Sequence, residues 1–315
     1  MAVVVVPGNP GLPQFYSGFA QDLQAEISAT VDVPVAAYVV GYTNFPTACA
    51  RVGPVASIGV EAARIGAVID SLAREHAQEG LVLVGQSIGA WIVLQHARRL
   101  ARDGGSLGAS ALRAVVLATP FLEFDARGQG MLRLLCATPA PLVRLLAHAI
   151  VMLPREAKMR LAQANAPAAF VDVVMDTFAR QPHHLESVVL MARTEFEELC
   201  EGSPQNGFEL LREVLASPGR PPVLAVYAAD GDIWGPAAHS ARFRRLAEAA
   251  REKGARTAAV VDLGDLAHSF VLQPEHSRRV ARTVATTLAA DLAASRGRSD
   301  NSRSAATDAR PVRVT

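Results

Sequence analysis

A serine between two glycines is the first feature of this sequence that could do chemistry. Ser87 lies at the centre of a Gly-Gln-Ser-Ile-Gly pentad. An apolar run of strand length, residues 81–84, precedes the pentad, and apolar residues at helical spacing follow it. A strand, a tight turn and a helix in this order form the context of a nucleophile elbow. The pentad alone is a weak signal, but in this context Ser87 is predicted to be a nucleophile rather than part of a packing turn.

A serine hydroxyl needs a neighbouring base to take its proton, and the chain offers eight histidines. His268 is favoured because it lies in a loop between the last predicted strand and the last predicted helix. Reactive groups of an open α/β sheet gather at this carboxyl edge. The remaining histidines lie in predicted helices, near helix starts or in an insertion: His76, His96, His148, His183, His184, His239 and His276. The adjacent pair 183–184 has no third ligand at a suitable spacing, so no metal is expected.

The base in turn needs an acid that orients it. Two carboxylates follow the fifth predicted strand, at Asp230 and Asp232. Asp232 is preferred because it leads into Ile-Trp-Gly-Pro and a new helix, whereas Asp230 precedes a glycine and could simply form the turn. Asp125, after the fourth strand, is a third option. The order Ser87, Asp232, His268 is the one expected on an α/β-hydrolase sheet.

The oxyanion of an acyl-transfer intermediate needs two hydrogen-bond donors. One is predicted to be the backbone N–H of Ile88, directly after the serine. The other should come from the loop after the first strand, Pro-Gly-Asn-Pro-Gly at residues 7–11. Its prolines have no N–H, so Asn9 is the expected donor. The alternative is a rigid surface turn without a catalytic role.

The elements that must position these residues alternate between strand and helix. Strands are predicted at residues 2–6, 34–40, 81–84, 112–118, 222–227 and 258–261, and helices at 14–28, 57–78, 237–253 and 275–293. The alternation predicts a doubly wound, mostly parallel α/β sheet of about six strands with a helical cap insertion. We expect the core at 1–120 and 206–294, the cap at 121–205, and a disordered tail at 295–315.

Composition narrows the possible functions. The chain has 315 residues, half of them hydrophobic, and a formal net charge of +1. Without a basic stripe, nucleic acid is not an expected partner. The three cysteines are far apart and suggest buried thiols in a reducing compartment. The sequence has neither a signal peptide pattern nor an apolar run of transmembrane length, so a cytoplasmic location is expected.

Residues 131–153 are strongly apolar, and their only charged residues are Arg133 and Arg144. Pro139 and Pro141 interrupt the run, which therefore predicts two short amphipathic helices rather than a membrane span. These helices could roof an acyl pocket, contact a lipid droplet or membrane surface with the arginines at headgroup level, or form an ordinary cap.

Together these motifs resemble the lipid-droplet-associated hydrolase family of α/β-hydrolases. The resemblance covers most of residues 2–293, is weakest in the insertion, and rests on four segments: Pro7-Gly8-Asn9-Pro10-Gly11 with Phe15-Tyr16, the elbow Ser87-Ile88-Gly89-Ala90, Asp232-Ile233-Trp234-Gly235-Pro236, and His268-Ser269-Phe270. It implies a serine hydrolase of lipid-like esters, sterol esters being proposed for relatives. Ser87, Asp232 and His268 take the family's roles of nucleophile, acid and base. Two residues depart from the family: Gln86 replaces the usual His, and Ser269 the usual Ala.

We therefore expect a carboxylic ester hydrolase that needs no cofactor and acts on an apolar, lipid-like ester. Tyr16, Leu145 and Trp234 are expected to contact the substrate. An acyltransferase or thioesterase could use the same triad, because the motifs do not decide whether water or another acceptor ends the reaction. A lipid-surface binding protein with a silent triad is the alternative of another class.

Overall fold

The fold is described from a computed structural model of the full chain. The structure describes residues 1–45, 54–102, 112–124, 137–165, 168–178, 181–217, 221–228, 232, 234–253 and 258–307. Cys49, Asp125, Arg133, Cys136 and Asp230 lie outside these ranges. So does most of the apolar run before Thr138.

In the described part of the chain, six parallel strands form one sheet, in the order β2-β1-β3-β4-β5-β6. They are β1 (Ala2–Val6), β2 (Ala36–Val39), β3 (Leu81–Gln86), β4 (Leu112–Ala118), β5 (Val223–Tyr227) and β6 (Ala258–Asp262). Every residue of β1, β3 and β5 is buried. This burial on both faces explains why the strands are continuous runs of β-branched and other apolar residues rather than alternating patterns.

Ten α-helices connect and cover the described strands: α1 (Pro13–Ser28), α2 (Ile58–Glu75), α3 (Ile88–Arg102), α4 (Ala140–Met152), α5 (Arg155–Asn165), α6 (Val171–Thr177), α7 (Pro182–Leu199), α8 (Gly207–Ala216), α9 (Ala237–Glu252) and α10 (Pro274–Thr307). Short 3₁₀ turns lie at Ala168–Phe170 and Phe270–Leu272. The α/β-hydrolase sheet predicted from the sequence is confirmed, with the strand bounds within two residues of the expected ones.

The strand order reverses direction at β1. From β1 the chain crosses to β2 on one side, and then returns to β3 on the other side before continuing to β6. Because such crossovers are right-handed, α1 lies on one face of the sheet and α2 and α3 on the other. The carboxyl ends of β1 and β3 therefore border a topological switch point, where open sheets of this kind bind ligands.

The insertion between β4 and β5 leaves and rejoins the core at one place. Phe124 and Cys200 form a parallel bridge, and the N–H of Phe124 donates to the carbonyl of Leu199 at 3.0 Å. Helices α4 to α7 lie between these two points, and we call them the cap helices. Phe196 of α7 stacks on Phe124 with ring centroids 4.2 Å apart, which ties the last cap helix to the core.

The carboxyl end of the described chain differs from the prediction. Residues 295–307 were expected to be a disordered tail, but α10 continues through them to Thr307. No proline interrupts the chain between Pro274 and Pro311, and Gly297 is the only glycine there. Extending an existing helix by one residue is far easier than starting a new one, so the polar composition did not predict where this helix ends.

Candidate active site

Ser87 occupies a strained turn between β3 and α3. Its φ is +53°, a left-handed conformation that is uncommon outside glycine. The two flanking glycines are needed because the backbone is crowded here. A Cβ atom on Gly85 would collide with the backbone of Gly89, and one on Gly89 would collide with the carbonyl oxygens of Val6 and Pro7. The turn therefore fits against the end of β1, as a nucleophile elbow requires.

His268 and Asp232 meet Ser87 at this edge of the sheet. His268 Nε2 lies 2.9 Å from Ser87 Oγ, and His268 Nδ1 lies 2.8 Å from Asp232 Oδ2. Ser87 and His268 are 181 positions apart in the chain, so the folded sheet alone brings them together. The alternative acids Asp230 and Asp125 are not among the described residues. Three of the residues singled out from the sequence thus form one hydrogen-bonded series.

The environment of Asp232 keeps its carboxylate charged. Burial alone would raise its pKa, but the hydrogen bond and charge of His268 and the backbone N–H groups of Trp234 and Gly235 bring the pKa below its usual value. The N–H of Trp234 donates to Asp232 Oδ1 at 2.9 Å. The second carboxylate oxygen is therefore left to orient His268. This arrangement can stabilise a cationic imidazole ring beside a serine hydroxyl.

The loop after β1, residues 7–11, lies directly against Ser87. A Cβ atom on Gly8 would be 2.9 Å from Ser87 Cβ. Pro7 and Pro10 have no N–H, and the Gly8 N–H donates to Tyr16 Oη at 2.8 Å. Among positions 7–10, Asn9 is therefore the residue whose backbone N–H could donate to an oxyanion. Its side-chain amide is held by the carbonyl of Val188 at 3.0 Å.

Ile88 is the first residue of α3. The N–H groups of a first helical turn have no acceptor inside the helix, and they carry the positive end of the helix dipole. The arrangement places such an N–H directly after Ser87. A negative oxygen that formed beside Ser87 would thus meet donors of the kind predicted for Asn9 and Ile88.

An apolar pocket is lined mainly by residues of the cap helices, together with Pro10, Phe15 and Leu272 of the core. Its volume is about 390 Å³, at the low end of the roughly 300–1,000 Å³ typical of ligand sites. Its lining is apolar except for one lysine: Pro10, Phe15, Ile150, Lys158, Leu161, Ala162, Val174, Met175, Phe178, Leu185, Val188 and Leu272. Pro10 follows Asn9, and the carbonyl of Val188 accepts from the Asn9 side-chain amide, so the pocket adjoins Asn9. Ser87, Asp232 and His268 are not among the residues that line it.

The three residues expected to contact substrate are placed differently from one another. The Trp234 ring lies 6.0 Å from the His268 ring and packs edge-to-face on Phe121. Tyr16 is buried under the loop after β1 and is not among the residues that line the pocket. Leu145 is 64% exposed on the outer face of α4. The buried face of that helix carries Val143 and Ala147 instead, so the structure does not bring Leu145 to the pocket.

Sequence reasoning missed two groups of polar contacts around the site. Gln86, noted only as a departure from the family, bonds with Tyr16, Thr119 and the His268 backbone. Glu195 is buried on α7 next to Asn9. Neither has a local signal, because their partners are distant in the chain. Among the described residues, no group of three potential metal ligands occurs.

The elbow and the series Ser87, His268, Asp232 can now be set beside known proteins. The profile of a family described as lipid-droplet associated hydrolase matches residues 1–271, a span that includes all three side chains. A Drosophila melanogaster protein named lipid droplet-associated hydrolase is 36% identical over 107 residues. That stretch is 30% of this chain and 31% of the fly protein, so it spans about a third of the relative.

Solved structures give the fold alone, since their sequences are distant. The haloalkane dehalogenase DbeA from Bradyrhizobium elkani is 15% identical with a TM-score of 0.60, over 93% of this chain and 91% of that one. A monoacylglycerol lipase from Paleococcus ferrophilus is 17% identical with a TM-score of 0.50, over 92% and 94%. Both likenesses span the sheet and the cap helices. The solved structures share the α/β-hydrolase fold, and by the family profile the chain belongs to the lipid-droplet associated hydrolase family.

Proposed function

We propose that this protein is a serine hydrolase that cleaves carboxylic esters of apolar, lipid-like substrates. The observation that carries the proposal is the continuous series from Ser87 Oγ through both ring nitrogens of His268 to Asp232, with distances of 2.9 and 2.8 Å. Nucleophile and base within hydrogen-bond reach, with the base held by a third group, is the signature of nucleophilic catalysis.

In the proposed reaction His268 Nε2 takes the Ser87 proton as Oγ attacks the ester carbonyl. Asp232 stabilises the resulting imidazolium, because its carboxylate is charged and accepts from Nδ1. The backbone N–H groups of Ile88 and Asn9 bind the oxyanion. The imidazolium then gives its proton to the leaving alcohol, which leaves an acyl group on Ser87. Water, deprotonated by His268, releases the acid and restores the serine.

The apolar pocket supports an acyl chain as the part of the substrate that extends from Ser87. It is lined by Pro10, next to the proposed oxyanion donor Asn9, and by Val188, whose carbonyl accepts from the Asn9 side chain, and it continues between α4, α5, α6 and α7. A volume of about 390 Å³ suits one hydrocarbon chain better than both halves of a bulky ester. The alcohol part would therefore leave the site by another path.

The exposed face of the cap helices supports contact with a lipid surface. Six of the eight large hydrophobic side chains that the described residues expose belong to α4, α5 and the turn between them: Leu142, Leu145, Leu146, Met152, Leu153 and Leu161. Contiguous exposed apolar residues typically mark a binding surface. Arg144 pairs with Glu186 at 2.8 Å and stays largely exposed, so a cation remains at the edge of this face. No helix in the described part of the chain meets the length and hydropathy of a membrane span.

Labelling with a fluorophosphonate probe, together with hydrolysis of esters from two to sixteen acyl carbons, tests the catalytic proposal. Ser87→Ala should abolish labelling and lower kcat by at least about 10³-fold, while circular dichroism shows an intact fold. Equal labelling of the folded variant would contradict the role of Ser87. Preference for thioesters, or transfer to an added alcohol instead of water, would favour the acyltransferase or thioesterase alternative.

Liposome flotation tests the lipid surface. Leu145→Asp should weaken flotation without changing hydrolysis of a short, soluble ester, because Leu145 lies outside the pocket. Val60→Asp is a matched control, since Val60 is 59% exposed on α2 and is not one of the exposed apolar residues of α4 and α5. Equal losses of flotation for both variants, or no binding by the wild type, would contradict a docking role for the cap helices.

A further inference from the structure

Gln86, the residue before Ser87, makes three hydrogen bonds through its side chain. Both N–H groups of the amide donate, and its oxygen accepts one bond. The side chain is buried, with 3% of the residue exposed. Its Oε1 accepts from Tyr16 Oη at 2.7 Å, and its Nε2 donates to Thr119 Oγ1 and to the His268 carbonyl, both at 3.0 Å. One carboxamide thus connects three elements that the chain places far apart.

The acceptor side of Gln86 leads to the loop after β1. Tyr16 Oη accepts from the Gly8 N–H at 2.8 Å while its own proton goes to Gln86. Burial raises the pKa of Tyr16 well above its ordinary value, although the Gly8 N–H acts in the opposite sense. The tyrosine therefore remains a donor throughout the working pH range. The bond fixes the Pro7–Gly8 peptide, and the next peptide along the chain carries the Asn9 N–H, a proposed oxyanion donor.

The donor side of Gln86 leads to the proposed base. The His268 carbonyl accepts from Gln86 Nε2 at 3.0 Å and from the Thr119 hydroxyl at 3.1 Å. Two donors on one carbonyl hold the backbone of the residue whose ring contacts Ser87 and Asp232. Thr119 itself has a φ of +41°, a strained conformation that persists only where surrounding contacts determine it.

We propose that Gln86 is a positioning residue that holds the oxyanion loop and the base in register around Ser87. The proposal rests on the proposed function, because it assigns Asn9 and His268 their roles in ester hydrolysis. The chemistry of the side chain explains the choice of residue. An amide offers an acceptor to Tyr16 and two N–H groups to the other side, whereas a methionine of similar length offers no donor.

The expected effect is on turnover rather than on substrate binding. Displacing a catalytic group by about 1 Å can cost on the order of 10²-fold in rate. Gln86→Met should therefore lower kcat for a short p-nitrophenyl ester by about 10- to 100-fold, with KM changed by less than about threefold. Gln86→His keeps one donor and one acceptor on a neutral ring, so it should recover part of the lost kcat above about pH 7.

Tyr16→Phe supplies the second variant, because it removes only the hydroxyl between Gly8 and Gln86. Gln86→Met and Tyr16→Phe break the same connection, so their losses of kcat should not multiply in the double variant. The kcat of the double variant should stay within about threefold of that of the less active single variant. Asn206→Ala is a matched control. It removes another buried amide, which caps α8 by accepting from the Phe208 N–H at 2.9 Å, so it should lower Tm and leave kcat unchanged.

The outcomes separate this inference from the proposed function. If the wild type hydrolyses the ester, Ser87→Ala does not, and Gln86→Met and Tyr16→Phe keep full kcat, the role of Gln86 is overturned while the proposed function stands. Losses that multiply in the double variant would also overturn the coupling. If Gln86→Met does not fold, an unchanged kcat in Tyr16→Phe is enough to refute the connection from Gly8 through Tyr16 to Gln86. Should the wild type show no Ser87-dependent hydrolysis, both proposals fall together.

Discussion

Replacing Glu195 by glutamine should make the stability of this protein less dependent on pH. Glu195 lies on α7 and is 3% exposed. Among the described residues its Oε1 has no hydrogen-bond partner, and its side chain contacts Asn9. Burial raises the pKa of its carboxyl from an ordinary 4.5 to about 8, and the hydrogen bond from Asn9 opposes this only weakly. The folded protein therefore holds a neutral carboxylic acid at pH 7.

The sign and size of the effect follow from the two pKa values. Below pH 4.5 the carboxyl is protonated in the folded and unfolded chains alike, so it has no effect on their balance. Between pH 4.5 and about 8 only the unfolded chain has released the proton, and the free energy of unfolding falls by about 1.4 kcal/mol per pH unit. Above that range both forms are charged and the destabilisation is complete. Between pH 5.5 and pH 7.5 the free energy of unfolding of the wild type should therefore fall by about 2–3 kcal/mol because of this group. The Glu195→Gln variant should not show this fall.

Urea unfolding followed by tryptophan fluorescence at pH 5.5, 6.5 and 7.5 measures this difference. Any constant effect of the amide on packing cancels when the two proteins are compared across pH. Thr194→Val is a matched control on the same helix: it removes the acceptor of the Ile58 N–H, at 2.9 Å, and should lower stability equally at each pH. Parallel curves for the wild type and Glu195→Gln would refute a neutral Glu195 in the folded protein.

Three further predictions, the first with a control variant, test the site and its attachment to the cap. Gly8→Ala would push a Cβ atom against Ser87 and should lower kcat at least about tenfold, whereas Gly18→Ala, with no atom within 4 Å, should keep kcat and raise stability by up to about 1 kcal/mol. Asp232→Asn should lower kcat by about 10⁴-fold with normal circular dichroism, and a small loss would contradict its role as acid. Phe196→Ala should cost about 3–5 kcal/mol in urea unfolding, and a cost under about 1 kcal/mol would show that the ring stacking does not anchor the cap.

The sheet and the elbow could be predicted because their signals are local. Each strand is a short β-branched or apolar run, and in β1, β3 and β5 burial on both faces leaves little room for other residue types. The crowding at Gly85 and Gly89 likewise excludes any side chain. The two glycines of the pentad are therefore required by the geometry of the turn and make it recognisable in the sequence. The positions of Asp232 and His268 then followed from the rule that groups after parallel strands meet at one edge.

Periodicity could not tell which apolar residues of the cap helices face inward. Leu145 was expected to contact substrate because it lies in the most apolar segment. In α4 almost every residue is apolar, so the pattern does not mark the inner face. Val143 and Ala147 are buried while Leu145 and Leu146 are exposed. The packing of α4 on α7 decides this, and nothing in the local sequence reports it.

Thr119 shows why the polar contacts of the site could not be predicted. Ser87 and Thr119 each follow the last paired residues of neighbouring strands, Gln86 and Ala118, and both have positive φ. The strain at Ser87 is visible in the sequence as two glycines, whereas Thr119 has only Ala118 and Pro120 beside it. Its conformation is held instead by a hydroxyl that accepts from Gln86 and donates to His268, 149 positions away. The positive φ of Thr119 therefore has no explanation in the neighbouring sequence. It is explained by the hydrogen bonds that also hold the backbone of His268, the proposed base.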